Sequence, residues 1–310
     1  MKWKKCTVLT ALLLDLILFV AGCGSTKSED FSANEYIFTD DLGYEVKLKQ
    51  PQKVAVCSGS LAEIWLLAGG ELCAVTQDAY DDHLYEVPEE TVNIGKMKSP
   101  SVEQMITLGV DFVVLSSEIA EHTALRGTLE KAGINAAYFH VNNFDEYLSL
   151  LELFTEITGR TDLYESNGAA VKSRIDEVIG LASGKAAPTV LYLRCSSVAV
   201  HAKDSTSLAG SMLKDLGCIN IADTGSLIND LSLEVIVKSD PDFIFVTFMG
   251  SDENKAMQVL EETLLKNPAW SELSAVKNNR FVILQKSLYH YKPNAKWGEA
   301  YQQLWNILYA

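Results

Sequence analysis

The chain has 310 residues, 48% of them apolar, and carries 26 basic against 41 acidic side chains for a formal charge of −15. So acidic a balance argues against a nucleic-acid partner, because that affinity comes largely from Lys and Arg neutralising phosphates. The length and apolar fraction are enough to bury one or two sizeable cores.

The N-terminus reads MKWKKCTVLTALLLDLILFVAGCGSTKSED. Lys2, Lys4 and Lys5 form a basic region, an apolar stretch follows to Val20, and small residues lead to Cys23, the pattern of an export signal over residues 1–22. A transmembrane anchor needs about 20 apolar residues, whereas this run is short and Asp15 interrupts it. Val20-Ala21-Gly22-Cys23 resembles the lipobox of bacterial lipoproteins. That resemblance implies cleavage before Cys23, a diacylglyceryl anchor on its sulfur, and a site at the outer face of the cell membrane. Residues 23–35 then form a polar tether. Removing residues 1–22 takes away three lysines and one aspartate, leaving 23 basic and 40 acidic side chains and a charge of −17. Such a charge suits an exported domain held off an anionic membrane.

Further along, KVAVCS (53–58) predicts a strand and LAEIWLLAGG a helix closed by a glycine pair. CAVTQDA (73–79) predicts a second strand. Ser99 and Pro100 supply an N-cap and a first-turn proline for a short helix ending at Gly109. DFVVLSS is a third strand, a helix covers about 121–132, and INAAYFH (134–140) is a fourth strand. FDEYLSLLELFTEITGR (144–160) is helical. In the segment that follows, Leu163, Val171, Ile175, Val178 and Ile179 keep helical spacing. A helix of about 22 residues over 161–184 would span roughly 33 Å, with Gly168 its weak point. From Pro188 the scheme restarts: TVLYLRCSS, SLAGSMLKDLG, CINIAD, LSLEVIVKSD, DFIFVTF and RFVILQ alternate strand and helix before a last strand and a terminal helix.

Two of these units match. SVEQMITLGVDFVVL (101–115) and SLEVIVKSDPDFIFV (232–246) align Glu103 with Glu234 and Asp111 with Asp242, each 131 residues apart. Solenoid repeats recur about every 20–50 residues, so this spacing points instead to two lobes of related design. Apolar runs without period-two alternation predict parallel sheets covered on both faces. The fold class is therefore α/β: two Rossmann-like lobes, over 36–160 and 185–310, joined by a single long helix over 161–184. A ligand cleft is expected between them, outside the carboxyl ends of the strands. Cys57, Cys73, Cys195 and Cys218 show no C-x-x-C spacing. They suit buried thiols acting as small hydrophobes, with a disulfide left open for an exported chain.

In their order, the lipobox, the long connecting helix and three motifs resemble one family. The motifs are NIGKMKSPSVEQMITLGVDFVVL, SLEVIVKSDPDFIFV and NPAWSELSAVKNNRFVIL (267–284). From about Tyr36 to Tyr309 the chain is similar to the substrate-binding lipoproteins of ABC importers in the ferric siderophore, haem and cobalamin class. The resemblance implies a monomer that takes a metal-chelate or tetrapyrrole cargo and delivers it to an ABC permease with its ATPase. It implies no resident cofactor, the cargo itself carrying iron or cobalt. In that family an acidic residue on each lobe docks onto permease arginines, and Glu103 and Glu234 match those positions. A negative charge in a helical first turn is also stabilised by the helix dipole without any partner.

Loops at the strand ends then supply candidate contacts. Tyr80, Tyr289 and Tyr291 are suited to stack on an aromatic or macrocyclic face, and Lys98 and Arg194 to pair with carboxylates or catecholate oxygens. Haem-binding members of the family take axial ligands from near Met97 in one lobe and near Met249, Tyr289 or His290 in the other, so Met97, Met249 and His290 are the candidate haem-iron ligands. Packing is the ordinary role of a single Met such as Met97 or Met249, a surface or satisfied histidine is still more the ordinary reading of His83, His122, His140, His201 and His290, and Trp65 fits the core. Asp81-Asp82-His83 is the one local hint of a bare metal ion. The chain lacks G-x-S-x-G, a P-loop and G-x-G-x-x-G after a strand, so an enzyme is not expected. A bare-metal binder and a surface sensor on the same fold stand as the alternatives.

Overall fold

A computed structural model describes residues 35–81 and 85–310. The export signal, Cys23, nearly all of the tether, Asp82 and His83 lie outside the described residues.

The chain begins with an antiparallel hairpin, β1 (Glu35–Thr39) and β2 (Glu45–Lys49). The alternation of EVKLK at 45–49 fits a strand with one buried face, although the strands expected from sequence begin only at Lys53. The Asp40 carboxylate accepts from the Leu42 and Tyr44 amides inside the turn and from the Tyr138 amide, pinning the hairpin to the first lobe. That lobe continues through β3 (Val54–Val56), α1 (Gly59–Leu67), β4 (Ala74–Val75), α2 (Asp78–Asp81) and β5 (Val92–Asn93). A two-residue ladder, β6 (Gly95–Lys96) with β7 (Ser99–Pro100), leads to α3 (Val102–Leu108) and β8 (Phe112–Ser116). Then come α4 (Ala120–Thr123), α5 (Arg126–Ala132), β9 (Asn135–Phe139) and α6 (Phe144–Thr158). The strand expected over 73–79 shrinks to two residues, because Asp78–Asp81 folds into a helical turn. The Asp78 carboxylate accepts the Gly59 amide at 2.6 Å, and a Cβ on Gly59 would meet the Ala79 backbone at 2.8 Å.

The sheet order is β5-β4-β3-β8-β9, all parallel. Both faces are covered, and alternate residues serve different cores. Phe112 and Val114 join one apolar cluster, while Val113 and Leu115 join another on the opposite face.

α7 (Thr161–Tyr164), a π-helical turn at Glu165–Ala169 and α8 (Ala170–Ala182) run on without a break. The expected helix is thus present over 161–182 and carries one π turn at Gly168. The reason is packing: a Cβ on Gly168 would sit 2.8 Å from Leu148 Cδ1 on α6. Tyr147 donates to the Asn167 carbonyl at 2.8 Å, and the Asn167 amide donates to the Leu67 carbonyl at 2.8 Å. These bonds take up backbone and side-chain groups around the π turn.

The second lobe holds β10 (Thr189–Cys195), β11 (Val200–Lys203), α9 (Leu208–Asp215), β12 (Ile219–Asn220), α10 (Ser226–Asn229) and α11 (Leu233–Ser239). It continues with β13 (Phe243–Phe248), α12 (Glu253–Leu260), α13 (Pro268–Ser271), α14 (Ser274–Lys277), β14 (Phe281–Ile283), α15 (Lys286–Tyr289) and α16 (Trp297–Tyr309). β10, β13 and β14 are parallel neighbours, and β12 pairs in parallel with the start of β10. β11 is antiparallel to β10, whereas among the described residues the five strands of the first lobe's main sheet are all parallel.

The repeated unit has the same anatomy twice. Ser101 and Ser232 cap α3 and α11 by accepting from the amides of Gln104 and Val235. Met105 and Ile236 are fully buried beneath them. Asp111 accepts from the Gln52 and Lys53 amides at the start of β3, and Asp242 accepts from the amide and hydroxyl of Thr189 at the start of β10.

One apolar core runs from Val56 and Phe112 through Phe154 on α6 and Ile175 and Val178 on α8. It reaches Trp297 and Tyr301 on α16 and Phe245 in the second sheet. The lobes are therefore welded by side-chain packing as well as by a single helix. Among the described residues no helix is long and apolar enough to cross a membrane.

Candidate functional site

A cavity of about 400 Å³ lies between the lobes. The first lobe supplies Glu118, just past β8, and Val141 and Asn142, just past β9. The second supplies Arg194 from the end of β10, Lys203 from the end of β11, the turn Thr206 to Leu208, and Tyr289, His290 and Lys292 after β14. Carboxyl ends of parallel strands thus converge from both sheets, as open α/β architectures favour for ligands, and Lys203 joins them from antiparallel β11, level with Tyr192 of β10. The first turn of α9 also opens here with its amides uncapped, since the Ser207 hydroxyl donates to the Asp204 carbonyl instead.

The cavity is strongly cationic on one wall. Burial and then the Arg194 charge push Lys203 below the usual lysine range, with Asp204 and Glu118 pulling it back. Burial likewise lowers Lys292, opposed by Glu118 and Glu146. His290 is pushed down to about 4 by burial first and then by Arg194, Lys286 and Lys292, so it is a neutral imidazole near neutral pH. Its ring lies 5.1 Å from that of Tyr291, and its buried Nδ1 has no hydrogen-bond partner within the protein. A ligand bearing several negative oxygens would relieve the mutual repulsion of these cations and supply acceptors at once.

Of the residues singled out from sequence, Arg194, Tyr289 and His290 line this cavity. Tyr289 does so from behind: it is 1% exposed, and its hydroxyl donates to the Ala300 carbonyl at 2.9 Å, so it is a wall rather than a free stacking face. Tyr80, Met97, Lys98 and Met249 do not line it. The Tyr80 hydroxyl is spent on the Thr91 carbonyl at 2.8 Å. The Met97 carbonyl accepts from His122, whose other nitrogen accepts the Ser116 amide, so buried His122 is satisfied inside the fold. Lys98 points to solvent, and Met249 is 40% exposed at the end of β13. Trp65 is a core residue whose indole donates to the Glu71 carbonyl. The four cysteines are free, Cys57, Cys195 and Cys218 buried and Cys73 half-buried, and burial pushes every thiol upward.

Sequence reasoning missed Lys203 altogether, because β11 is only four residues long and follows β10 so closely that sequence does not separate the two. Glu118, Asn142 and Lys292 sit in loops just past strands, where ligand contacts are expected, but nothing local separates them from their neighbours in the sequence. Among the described residues no group of His, Cys, Asp or Glu is arranged to hold a metal ion.

Residues 54–288 match the family described as periplasmic binding protein. The chain belongs to that family. It is a binding protein rather than an enzyme, of a class that works outside the cytoplasm. It is 25% identical over 297 residues to the iron-uptake system-binding protein of Bacillus subtilis, covering 89% of each chain. It is 24% identical over 297 residues to the Fe(3+)-citrate-binding protein YfmC of the same organism, covering 89% of this chain and 88% of that one. In fold it is similar to S. aureus IsdE complexed with heme, with a TM-score of 0.69, 16% identity and coverage of 83% and 99% of the two chains. The periplasmic binding protein fold accounts for the two lobes and for the position of the cationic cavity between them.

Proposed function

We propose that this protein is the lipid-anchored receptor of an ABC importer and that its cargo is an anionic iron chelate, a ferric complex presenting carboxylate or catecholate oxygens. The observation that carries this reading is the meeting of Arg194, Lys203 and Lys292 in one interlobe cavity that holds a single carboxylate. Two relatives named for iron uptake and ferric citrate agree with it. A haem or corrinoid face would call for broad apolar and aromatic walls, whereas here Tyr289 is turned away and Met97 and Met249 lie elsewhere. No resident cofactor is needed, since iron arrives within the cargo.

Cys23 provides the membrane tether. Glu103 and Glu234 present the loaded protein to the permease from exposed first turns of α3 and α11. Their identical placement on the repeated unit suits a partner with two-fold related cationic sites. The protein acts as a monomer, and the permease's ATPase supplies the work of transport.

Titration with ferric citrate, haemin and cobalamin, followed by tryptophan fluorescence, tests the cargo. Ferric citrate should quench saturably. Arg194→Ala should weaken it by about tenfold or more, the size of a lost charge-assisted bond of roughly 1.5–3 kcal/mol. Saturation by haemin or cobalamin alone, with ferric citrate inert, would replace this reading.

A further inference from the structure

Among the described residues that line the cleft, Glu118 is the single acid among three cations. It comes from the opposite lobe. It follows β8, its Oε1 accepts from the Asn142 amide at 2.7 Å, and its own backbone N–H donates to the Ser116 hydroxyl at 3.2 Å. Asn142 follows β9, so two strand ends of the first lobe hold this carboxylate in place, while every cation that lines the cavity with it is carried by the second lobe. The charged groups around them are Arg194 on β10, Lys203 on β11, Asp204 beyond it, Lys286 on α15, Lys292 after it and Glu146 on α6.

We propose that Glu118 sets the charge selectivity of the cleft, standing in for cargo oxygens against Lys203 and Lys292 and turning away anions too weakly charged to outcompete it. This rests on the reading of the cleft as a site for an anionic chelate. With His290 neutral, Arg194, Lys203, Lys292 and Glu118 leave a formal charge of +2 in the empty cavity. Without Glu118, single carboxylates and phosphate would find unopposed cations, and the cleft would fill with common anions. With it, a ligand must satisfy at least two cations together to gain over the internal carboxylate. Selection by an opposing charge costs affinity for the right ligand and costs more for the wrong one.

Glu118→Gln keeps the shape and the Asn142 neighbour while removing the charge. The probes are ferric citrate, metal-free citrate and inorganic phosphate, titrated by calorimetry into the full protein and the variant. Glu118→Gln should tighten ferric citrate by roughly three- to tenfold and the other two anions by more, so that the ratio between them shrinks. A second readout needs no cargo: in the variant, Lys203 and Lys292 should titrate at lower pH, followed by NMR of isotope-methylated lysines. Unchanged lysines, or an affinity for ferric citrate that stays the same or falls, would overturn the proposal. Shifted lysines with no binding of any of the three anions would also overturn it, and would locate the failure in the choice of cargo rather than in the Glu118 contact.

Discussion

The Asn294 side-chain amide donates to the Ser60 carbonyl at 3.0 Å, joining residues 234 apart in the chain. The same amide donates to the Glu63 carboxylate, so one buried side chain holds the segment before α16 against α1 of the first lobe. Asn294 has φ 49°, a left-handed conformation that Asn tolerates better than other residues with a Cβ. Asn294→Ala removes both bonds and keeps the strained backbone. A loss of about 2–4 kcal/mol in urea unfolding is expected from the orphaned partners and the backbone together. A loss under about 0.5 kcal/mol would show that the bridge contributes little.

Two groups give stability an opposite dependence on pH. Burial raises Glu63 to about 7, offset by the Asn294 bond and by Lys296. Its contribution is full below the unfolded value of 4.5 and is lost as pH rises through about 7. His290 is lowered to about 4 from 6.5, so the unfolded chain binds the extra proton and stability falls as pH drops through that interval. Glu63→Gln should therefore gain on the order of 1–3 kcal/mol at pH 8 while changing little at pH 4. His290→Gln should flatten the acid limb. Unfolding curves at pH 4, 6 and 8 that keep the same shape in both variants would contradict these assignments.

Anion capture should draw protons in. Lys203, Lys292 and His290 all sit below their ordinary values, through burial first in each case and through neighbouring cations as well for Lys203 and His290, and a bound anion raises each of them. Calorimetry near pH 5 in two buffers of different ionisation enthalpy should report net proton uptake with ferric citrate. Identical heats in both buffers would mean that these side chains do not meet the ligand.

The π turn and the shared core make the lobes stiff. Gly168→Val should cost about 1–3 kcal/mol by forcing Leu148 and Leu151 away from α8. In the unaltered protein, small-angle scattering should show little contraction on cargo binding, unlike binding proteins that close about a flexible hinge. A contraction of several ångströms in the radius of gyration would refute a rigid connection.

Glu103→Ala with Glu234→Ala should leave ferric citrate affinity within about 0.5 kcal/mol of the parent, because both side chains are exposed and lie outside the cavity. The pair should lower unfolding free energy by no more than about 2 kcal/mol, the helix-dipole contribution of two first-turn charges. Uptake by cells carrying the double variant should be lost. Uptake at the parental rate would remove both residues from the permease interface.

How legible each feature was depended on how local its cause is. The 131-residue echo of Glu103 with Glu234 and Asp111 with Asp242 was visible in sequence, and its aspartates prove to bind the amide ends of equivalent strands. Gly168 stood out as a flaw in a helix, and tertiary packing against Leu148 turns the flaw into a π turn. The hairpin at Glu35–Lys49 and the strand at Val200–Lys203 escaped notice because strands of four or five residues alternate over too short a window to stand out, although EVKLK in β2 does alternate exposed and buried positions.

By itself the sequence determined two parallel α/β lobes, a long helix between them and an acid-bearing helix in each, since burial periodicity acts within a few residues. The cap expected at Ser99 is instead Ser101, because Ser99 and Pro100 pair in β7. Only the tertiary structure decided which side chains share the cleft. Arg194 and Lys203 share the β10–β11 hairpin, but Lys292 is brought to them from beyond β14 and Glu118 opposes them from the other lobe, and only the folded sheets bring these segments together. Tyr80 and Tyr289 look like ligand contacts in one dimension, yet each hydroxyl is claimed by a backbone carbonyl of its own lobe. A buried hydroxyl must find an acceptor, and only the folded backbone says where that acceptor stands.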